Sequence, residues 1–394
     1  MTREVMVVSA ARTAIGDYGG SLKDFPATKL GAIALKEAVA RAGIAPASIG
    51  HVVLGNVIHG EARDMYISRV AAIDAGLPVG TPCLTVNRLC GSGLQAIVSA
   101  AQHVMLGDCD IVVAGGAESM SRSAYIMLAA RWGQRMGDTV MSDMMLAALH
   151  DPFGHGHMGI TAENVAAKYG ITREEQDAFA LESHHRAAAA IRDGRFKTQI
   201  VGVELASKKG PTVFDTDEHV RPDAKIEDMS KLRPAFKKDG GTVTAGNASG
   251  INDGAGAIVM MEAGAAKRAN AKPLARLVGY AHAGVDPQLM GLGPIPAVRR
   301  VFEKTGLRPA DIDVVESNEA FAVQAMAVTR DLGLDPAKVN PNGGAVALGH
   351  PVGATGAILT VKALYELERI GKRYALVTMC IGGGQGIAAI FERA

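Results

Sequence analysis

The chain lacks the features that define several large classes of protein. Only four cysteines occur among its 394 residues, Cys83, Cys90, Cys109 and Cys380, with neither zinc-ligand spacing nor the density of a secreted disulfide framework. The 41 basic residues nearly balance the 40 acidic ones, so no overall field favours nucleic acid or an anionic membrane. No apolar run reaches the roughly 18 residues of a membrane span. The histidines lack HExxH-type spacing, so no metal site is predicted.

Aromatic residues are also scarce, at 4% of the chain, so the core must consist mainly of Ala, Val, Ile, Leu and Met. Residues 2–10 already have the composition of a strand, which leaves no room for a targeting peptide, and residues 391–394 are not a peroxisomal signal. Together with the few cysteines, this predicts a cytoplasmic protein. The length is typical of two or three domains.

Glycine, in contrast, is abundant, with 47 residues placed singly and in turns rather than in a repeat. Two of the cysteines lie in glycine-rich turns, Asn87–Gly93 and Met379–Gly386. Glycine lets a substrate approach the main chain, and the N–H groups of such turns can hold an oxyanion. The alternative is that both cysteines are buried structural residues.

A third glycine-rich turn, Gly343–Gly356, contains His350. Pro351 biases His350 toward an extended conformation, and a helix is predicted from about Gly353. A histidine and two cysteines in such turns suggest a base with two thiols. If a helix begins at Gly91 or Ser92, its N-terminus would lower the pKa of Cys90, and His350 could accept the thiol proton.

Short apolar strands alternate with helices in both halves of the chain, which predicts an α/β fold. Residues 43–49, before Val52, resemble residues 306–312, before Val314, and the Cys90 turn parallels the His350 turn. Two copies of one unit would bring equivalent turns to one shared face. The predicted strands include residues 5–8, 51–54, 111–114 and 374–379, and the predicted helices include residues 29–42, 69–75, 92–106 and a surface helix within 171–196.

A dinucleotide site is an alternative for the first cysteine turn. Gly91–Ala96 matches the pattern GxGxxA, and Asp110 follows near the distance of a ribose-binding acid. The motif lies far from the first strand, however, and a cysteine occupies the position that would face the ligand. Both facts favour a nucleophile.

The three turns, with Ser317–Phe321 and Ser9–Thr13, resemble the thiolase family over essentially the whole chain, and most nearly its bacterial acetyl-CoA acetyltransferases and β-ketothiolases. The resemblance implies an α/β fold with duplicated α-β-α-β-α layers and an inserted loop domain. Residues 1–118 plus 250–271 would form the N-terminal half and 272–394 the C-terminal half. Residues 119–249 would form the loop domain over coenzyme A, with about 121–142 assembling a homotetramer.

The resemblance also implies site residues. Cys90 would be acylated, and Cys380 would move the proton of the substrate α-carbon. The N–H groups of Cys90 and Gly382 would form one oxyanion hole, and His350 with a water held by Asn318 the other. Coenzyme A and the acyl group would contact His157, Met158, Arg221, Ala245, Ser249, Met290 and Phe321. Asp228 stands where biosynthetic members carry a serine near the adenine, and an acidic side chain there would not favour phosphate.

The function predicted is reversible Claisen condensation of two acyl-CoA molecules, through an acyl-Cys90 intermediate, with thiolysis as the reverse. Coenzyme A thioesters are substrates, and no cofactor, nucleic acid or membrane partner is predicted. One alternative is a degradative 3-ketoacyl-CoA thiolase of broader chain length. Others are a relative of ketoacyl-carrier-protein synthases, against which the Cys380 turn argues, and a noncatalytic acyl-CoA-binding protein.

Overall fold

The computed structural model describes residues 3–208 and 210–394. Its strands are β1 (Val5–Thr13), β2 (Gly16–Asp17), β3 (His51–Gly55), β4 (Cys83–Val86), β5 (Ile111–Ser119), β6 (Tyr125–Ile126), β7 (Ser142–Asp143), β8 (Ile200–Val201), β9 (Val203–Leu205), β10 (Thr212–Phe214), β11 (Asn252–Glu262), β12 (Ala275–Gly284), β13 (Val314–Ser317), β14 (Tyr374–Ile381) and β15 (Gln385–Arg393). Its α-helices are α1 (Ala27–Ala42), α2 (Ile67–Asp74), α3 (Ser92–Leu106), α4 (Met144–Ala148), α5 (Met158–Tyr169), α6 (Arg173–Arg192), α7 (Ile226–Met229), α8 (Ala263–Arg268), α9 (Pro294–Thr305), α10 (Ala322–Asp331), α11 (Ala345–Leu348) and α12 (Thr355–Ile370).

The main sheet has the order β13-β14-β15-β12-β1-β11-β5-β3-β4. On one side of the β12–β1 contact, β3 is parallel to β5, and β11 is antiparallel to β5 and β1. On the other side, β13 is parallel to β14, and β15 is antiparallel to β14 and β12. Apart from the additional edge strand β4 of the first set, the two sets of strands therefore have the same order and directions. This is the duplication that the two similar segments predict.

Helices α3 and α12 lie between the two sets of strands, and each leads into an equivalent strand, β5 or β14. Leu94 of α3 and Leu359 of α12 belong to one buried core that also includes side chains of both sets of strands. Helices α1 and α2 cover the outer face of the first set, and α9 and α10 cover that of the second. The result is the predicted series of α-β-α-β-α layers.

Most predicted elements are present, with small shifts in their ends. Helix α3 has the predicted bounds, whereas the strand predicted at residues 2–10 is β1, and Thr2 lies outside the described residues. The helix predicted within residues 171–196 is α6, but the prediction that it faces the surface is only half right. Its alanines Ala180, Ala187 and Ala190 are fully buried, because small side chains let the helix pack closely against its neighbours.

The chain between β5 and β11 carries α4 to α7 and the short strands β6 to β10. The ranges given above for the three domains remain a prediction. Across the described residues, no helix combines the length and apolarity needed to cross a bilayer.

Candidate active site

Cys90 lies in the tight turn between β4 and α3. Leu89 has a φ of 45°, an uncommon conformation for a residue other than glycine. Ser92 holds the turn, because its hydroxyl accepts the N–H of Arg88 at 2.8 Å and donates to the carbonyl of Leu89 at 2.7 Å. The side chain of Asn87 accepts the N–H of Leu89 at 3.0 Å. These bonds fix the unusual backbone at Leu89 and with it the position of Cys90.

Two glycines let α3 and α12 cross with their backbones in contact. A Cβ added to Gly93 would lie 2.7 Å from the nitrogen of Ala357, and one added to Gly356 would lie 2.3 Å from the nitrogen of Leu94. Neither position can hold a side chain without moving a helix. The first turns of the two helices therefore meet, and the Cys90 and His350 loops that precede them lie on the same side of the crossing.

The same packing makes the dinucleotide alternative wrong. A Cβ on Gly91 would lie 2.6 Å from the Ile381 side chain, and Gly93 faces the backbone of α12. A pyrophosphate has no space against these glycines, which serve helix packing rather than phosphate binding.

The hydrogen bonds of His350 indicate its tautomer. Nδ1 lies 2.6 Å from the hydroxyl of Thr355, and that hydroxyl donates to the carbonyl of Pro351 at 2.9 Å. Because Thr355 has one hydroxyl proton, Nδ1 carries a proton and donates to Thr355. Nε2 keeps its lone pair and lies 3.3 Å from Nδ2 of Asn318. His350 can therefore accept a proton at Nε2.

Cys380 is fully buried near the end of β14, ahead of the turn formed by Gly382, Gly383 and Gly384. The main-chain N–H groups of Gly382 and of Cys90 itself lie close enough to the Cys90 sulfur to favour its thiolate. The two sulfurs are close enough for charge on one to oppose charge on the other. An oxyanion hole needs such N–H groups beside the nucleophile, aimed at the oxygen of the carbonyl that it attacks.

Burial dominates the electrostatics of these groups. It raises the pKa of Cys90 to about 11, with a smaller contribution from the charge of Glu118, and raises the pKa of Cys380 as well. It lowers the pKa of His350 to about 4. The prediction that the α3 N-terminus lowers the pKa of Cys90 is therefore wrong for the resting site, because loss of water destabilises the thiolate more than the two N–H groups stabilise it. At neutral pH the site holds two thiols and a neutral imidazole.

Asn318 follows β13 and does not cap a helix, since α10 begins only at Ala322. Its N–H donates to the carbonyl of Thr378 at 3.0 Å, and its own carbonyl accepts from Gln324 at 3.2 Å. These bonds fix the main chain while the side chain reaches His350. Its buried Oδ1 accepts no hydrogen bond from the described residues, which suits a water or a ligand donor.

Met158, Met290 and Phe321 belong to one buried apolar cluster with Cys380. A Cβ on Gly382 would lie 2.2 Å from the terminal methyl of Met158, so Met158 packs directly on the turn that carries the Gly382 N–H. These side chains give the reactive centre an apolar wall.

His157 and Ser249 lie beside this cluster. His157 caps α5 by accepting the N–H of Gly159 at 3.0 Å, and its ring stacks on Phe236 at 4.5 Å. Burial, and to a lesser extent His150, lowers the pKa of His157 to about 4. The N–H of Ser249 donates to the carbonyl of Ala320 at 3.0 Å, next to Phe321.

Arg221 and Ala245 lie elsewhere, in an open groove of about 580 Å³ on the segment between β5 and β11. The Arg221 side chain is 67% exposed. Asp228 lines the same groove, and its carboxylate accepts a hydrogen bond from Lys231 at 3.0 Å. The structure thus groups the predicted residues into a buried reactive centre and a solvent-open groove.

Three polar residues at the centre were not predicted from the sequence. Glu118 accepts the N–H of Gly353 at 2.7 Å and further donors from residues 56–58, and burial raises its pKa to about 8. Thr355 orients the His350 ring, and Asn252 accepts the His350 N–H at 2.8 Å. The sequence does contain a signal for all three, since each is a polar residue beside apolar or glycine-rich sequence.

Family models match nearly the whole chain. The model described as "Thiolase, N-terminal domain" matches residues 5–264, and "Thiolase, C-terminal domain" matches residues 271–393. Beta-ketothiolase BktB of Cupriavidus necator is 65% identical over 393 residues, which cover 100% of both chains. An acetyl-CoA acetyltransferase of Allochromatium vinosum is 50% identical over 395 residues, again covering 100% of both.

Solved structures also resemble this chain over nearly its whole length. Human mitochondrial 3-ketoacyl-CoA thiolase in complex with CoA has a TM-score of 0.96 and 46% identity, covering 100% of this chain and 98% of that one. Acetyl-CoA acetyltransferase of Bacillus anthracis has a TM-score of 0.97 and 45% identity, covering 100% and 99%. The fold, the paired cysteine turns and these matches agree: the chain belongs to the thiolase family.

Proposed function

We propose that this chain catalyses reversible acyl transfer between coenzyme A thioesters, as a β-ketothiolase or acetyl-CoA C-acetyltransferase. The observation that carries the proposal is the Cys90 thiol, which lies next to two main-chain N–H groups, a second buried thiol and a histidine whose Nε2 carries no proton. With these groups the protein can form an acyl-enzyme on one thiol and then generate a carbanion that attacks the acyl group. The names of the relatives, a β-ketothiolase and acetyl-CoA acetyltransferases, support the same activity.

The first half-reaction acylates Cys90. The sulfur attacks the thioester carbonyl while Nε2 of His350 takes the thiol proton, and the negative oxygen is held by the N–H groups of Cys90 and Gly382. The C–S bond to coenzyme A breaks, and the departing thiolate takes the proton of Cys380. Coenzyme A leaves as a thiol, and the enzyme holds acetyl-Cys90, a Cys380 thiolate and a protonated His350.

The second half-reaction forms the carbon–carbon bond. The Cys380 thiolate removes the α-proton of a second acyl-CoA, and the enolate oxygen is stabilised by His350 and a water held by Asn318. The enolate carbon attacks acetyl-Cys90, and the released Cys90 sulfur recovers its proton from His350. Cys90, Cys380 and His350 are then back in their starting protonation states, with the substrate α-proton on Cys380 and the original Cys380 proton on coenzyme A. The steps in reverse give thiolysis.

The perturbed pKa values fit the second half-reaction. A carbon next to a thioester is a weak acid, so its base must be strong, and burial raises the pKa of Cys380. A protonated His350 with a pKa of about 4 is a strong hydrogen-bond donor to the enolate oxygen and then gives its proton readily to Cys90. Charged forms are therefore confined to the middle of the cycle, where the thiolate and the imidazolium stabilise each other.

We assign the nucleotide of coenzyme A to the groove with Arg221 and Ala245, and the pantetheine arm to the path along His157, Met158 and Ser249. The exposed Arg221 guanidinium supports the first assignment, since it can pair with phosphate. The acyl group would lie against Met290 and Phe321. Asp228 could accept a hydrogen bond from the adenine amino group but would repel phosphate.

A homotetramer in the cytoplasm is proposed mainly from the family resemblance. Support for assembly comes from the segment between β5 and α4, where Leu128 is 82%, Trp132 88% and Met136 88% exposed. Large apolar side chains exposed together are typical of a protein interface.

The second candidate function is a degradative thiolase of broader chain length. Human mitochondrial 3-ketoacyl-CoA thiolase, at 46% identity, is a relative with that kind of name, but the 65% identity to beta-ketothiolase BktB supports the first candidate. Thiolysis of acetoacetyl-CoA, 3-ketovaleryl-CoA and 3-ketohexanoyl-CoA by coenzyme A tests both functions. We expect activity with acetoacetyl-CoA that disappears in Cys90→Ala and persists in Cys109→Ala, whose cysteine lies outside the site. Highest kcat/KM for the longest substrate would favour the second candidate, and activity in Cys90→Ala would contradict both.

A further inference from the structure

The main chain of His350 is held by a residue from a different part of the fold. Asn252, at the start of β11, is fully buried, and its Oδ1 accepts the His350 N–H at 2.8 Å. The preceding Gly349 has a φ of 104°, and a Cβ there would lie 2.4 Å from Cγ of Asn252. Asn252 therefore fixes the position of the His350 loop relative to β11.

Asn252 is held in turn from the opposite strand. Its Nδ2 donates to the carbonyl of Gly16 at 3.1 Å and to Oδ1 of Asp17 at 3.3 Å. Strand β2 pairs with β11 so that Asp17 lies directly opposite Asn252. The side-chain oxygen of Asn252 thus binds the His350 loop, and its side-chain nitrogen binds Asp17.

The carboxylate of Asp17 reaches the groove to which we assign the coenzyme A nucleotide. Nδ1 of His219 hydrogen-bonds Oδ1 of Asp17, and a guanidinium nitrogen of Arg221 lies 3.9 Å from Oδ2. Both His219 and Arg221 line the groove, as does Val346 of α11, the helix that directly precedes Gly349. A continuous series of contacts therefore runs from the groove to the N–H of His350.

We propose that Asn252, Asp17 and His219 are positioning residues for His350, and that a nucleotide in the groove acts on His350 through them. The second part rests on the proposed function, because it takes coenzyme A as the occupant. The physical reason is distance: His350 must exchange a proton with Cys90 and face an enolate oxygen, and a shift of about 1 Å in such a group can cost about 10²-fold in rate.

The first test measures thiolysis of acetoacetyl-CoA by variants along the series. Asn252→Ala should lower kcat by at least tenfold, with KM changed less than threefold, because it releases His350 without touching the groove. His219→Leu should lower kcat, whereas His219→Asn, which keeps a donor at the position of Nδ1, should recover most of it.

The matched control is Asp253→Asn. Asp253 is as buried as Asn252 and sits opposite Gly16 in the same strand pair, but its carboxylate bonds Ser121 and not the His350 loop. It should keep kcat within twofold. If Asn252→Ala is folded and also keeps kcat within twofold, the positioning role is wrong. Should Asn252→Ala not fold, the kcat of the near-isosteric Asp17→Asn is measured instead. A kcat within twofold of the wild type would then show that the positioning role is wrong.

The second test removes the nucleotide from the substrate. In the wild type, acetoacetyl-pantetheine should have a lower kcat than acetoacetyl-CoA as well as a higher KM. In His219→Leu, the two substrates should have kcat values within twofold of each other, because the link is broken. If His219→Leu lowers kcat by the same factor for both substrates, His219 carries no effect of the nucleotide to His350. Wild-type protein without thiolysis activity would instead refute the proposed function.

Discussion

At the scale of single residues, Cys90 and His350 are kept neutral by the burial that also assembles the site. The pKa of Cys90 is raised to about 11 and that of His350 lowered to about 4, so both shifts oppose a resting thiolate–imidazolium pair. The thiol becomes nucleophilic only as its proton moves to His350. The resting protein should therefore be a poor target for general thiol reagents.

This predicts a steep pH dependence for alkylation of Cys90 by iodoacetamide. Only the thiolate reacts, and below a pKa of about 11 its fraction rises about tenfold per pH unit. The rate measured by mass analysis of the Cys90 peptide should rise between pH 7 and 9.5 without levelling. Cys90→Ala provides the blank. A plateau below pH 8 would mean that the resting thiolate is stabilised after all.

At the residue scale, the sequence indicates candidate residues where chemistry and backbone coincide. Cys90, His350 and Cys380 stand in glycine-rich turns, which is visible in the sequence. The residues that orient them also stand beside apolar or glycine-rich sequence, but the sequence does not show which groups they contact. Asn252 and Thr355 act through single hydrogen bonds to His350, and those depend on the register of β11 and on the first turn of α12. The direction of the Cys90 pKa shift, upward rather than downward, could not be predicted either, because the sequence of one turn does not show how deeply the turn is buried.

At the scale of elements, the crossing of α3 and α12 holds the site together. The bounds of α3 followed from its apolar pattern, and the similarity of the two turns indicated that they meet. Why they can meet was not evident, because the role of Gly93 and Gly356 emerges only from the contact between helices. For the same reason, the buried alanine face of α6 was mistaken for surface.

Gly93→Ala should destabilise the protein and impair catalysis together. The new Cβ would lie 2.7 Å from backbone of α12, and overpacking of this kind costs about 1–3 kcal/mol. Urea unfolding and thiolysis kinetics measure the two effects. Gly80→Ala is the matched control, because a Cβ there meets no atom within 4 Å. Equal stability and kcat in the two variants would contradict the importance of the crossing.

At the scale of the whole molecule, the repeated strand order explains how residues so distant in sequence share one centre. Each copy contributes a turn before its central helix, Cys90 in the first and His350 in the second, and β14 adds Cys380. The duplication was predictable from the two similar segments. The association of whole chains was not, since it depends on surfaces that sequence patterns do not define.

If the segment with Leu128 and Trp132 assembles the tetramer, a charge there should dissociate it. Leu128→Asp should give a lower mass in light scattering at micromolar concentration than the four chains expected of the wild type. Leu106→Asp is the control, since Leu106 is 79% exposed against 82% for Leu128 but lies at the end of α3. A wild-type monomer, or an intact tetramer in Leu128→Asp, would overturn this assignment.

The central claim is that the two buried thiols divide the reaction, with Cys90 carrying the acyl group and Cys380 moving the carbon-bound proton. Cys380→Ser tests it most directly. The variant should still acquire labelled acetyl from acetyl-CoA on the Cys90 peptide, because Cys90, His350 and the Gly382 N–H are unchanged. Exchange of the acetyl-CoA methyl hydrogens with solvent deuterium should fall at least about 10²-fold, because a serine hydroxyl is too weak a base. Exchange at the wild-type rate, or label on Cys380 in the unaltered protein, would contradict the account.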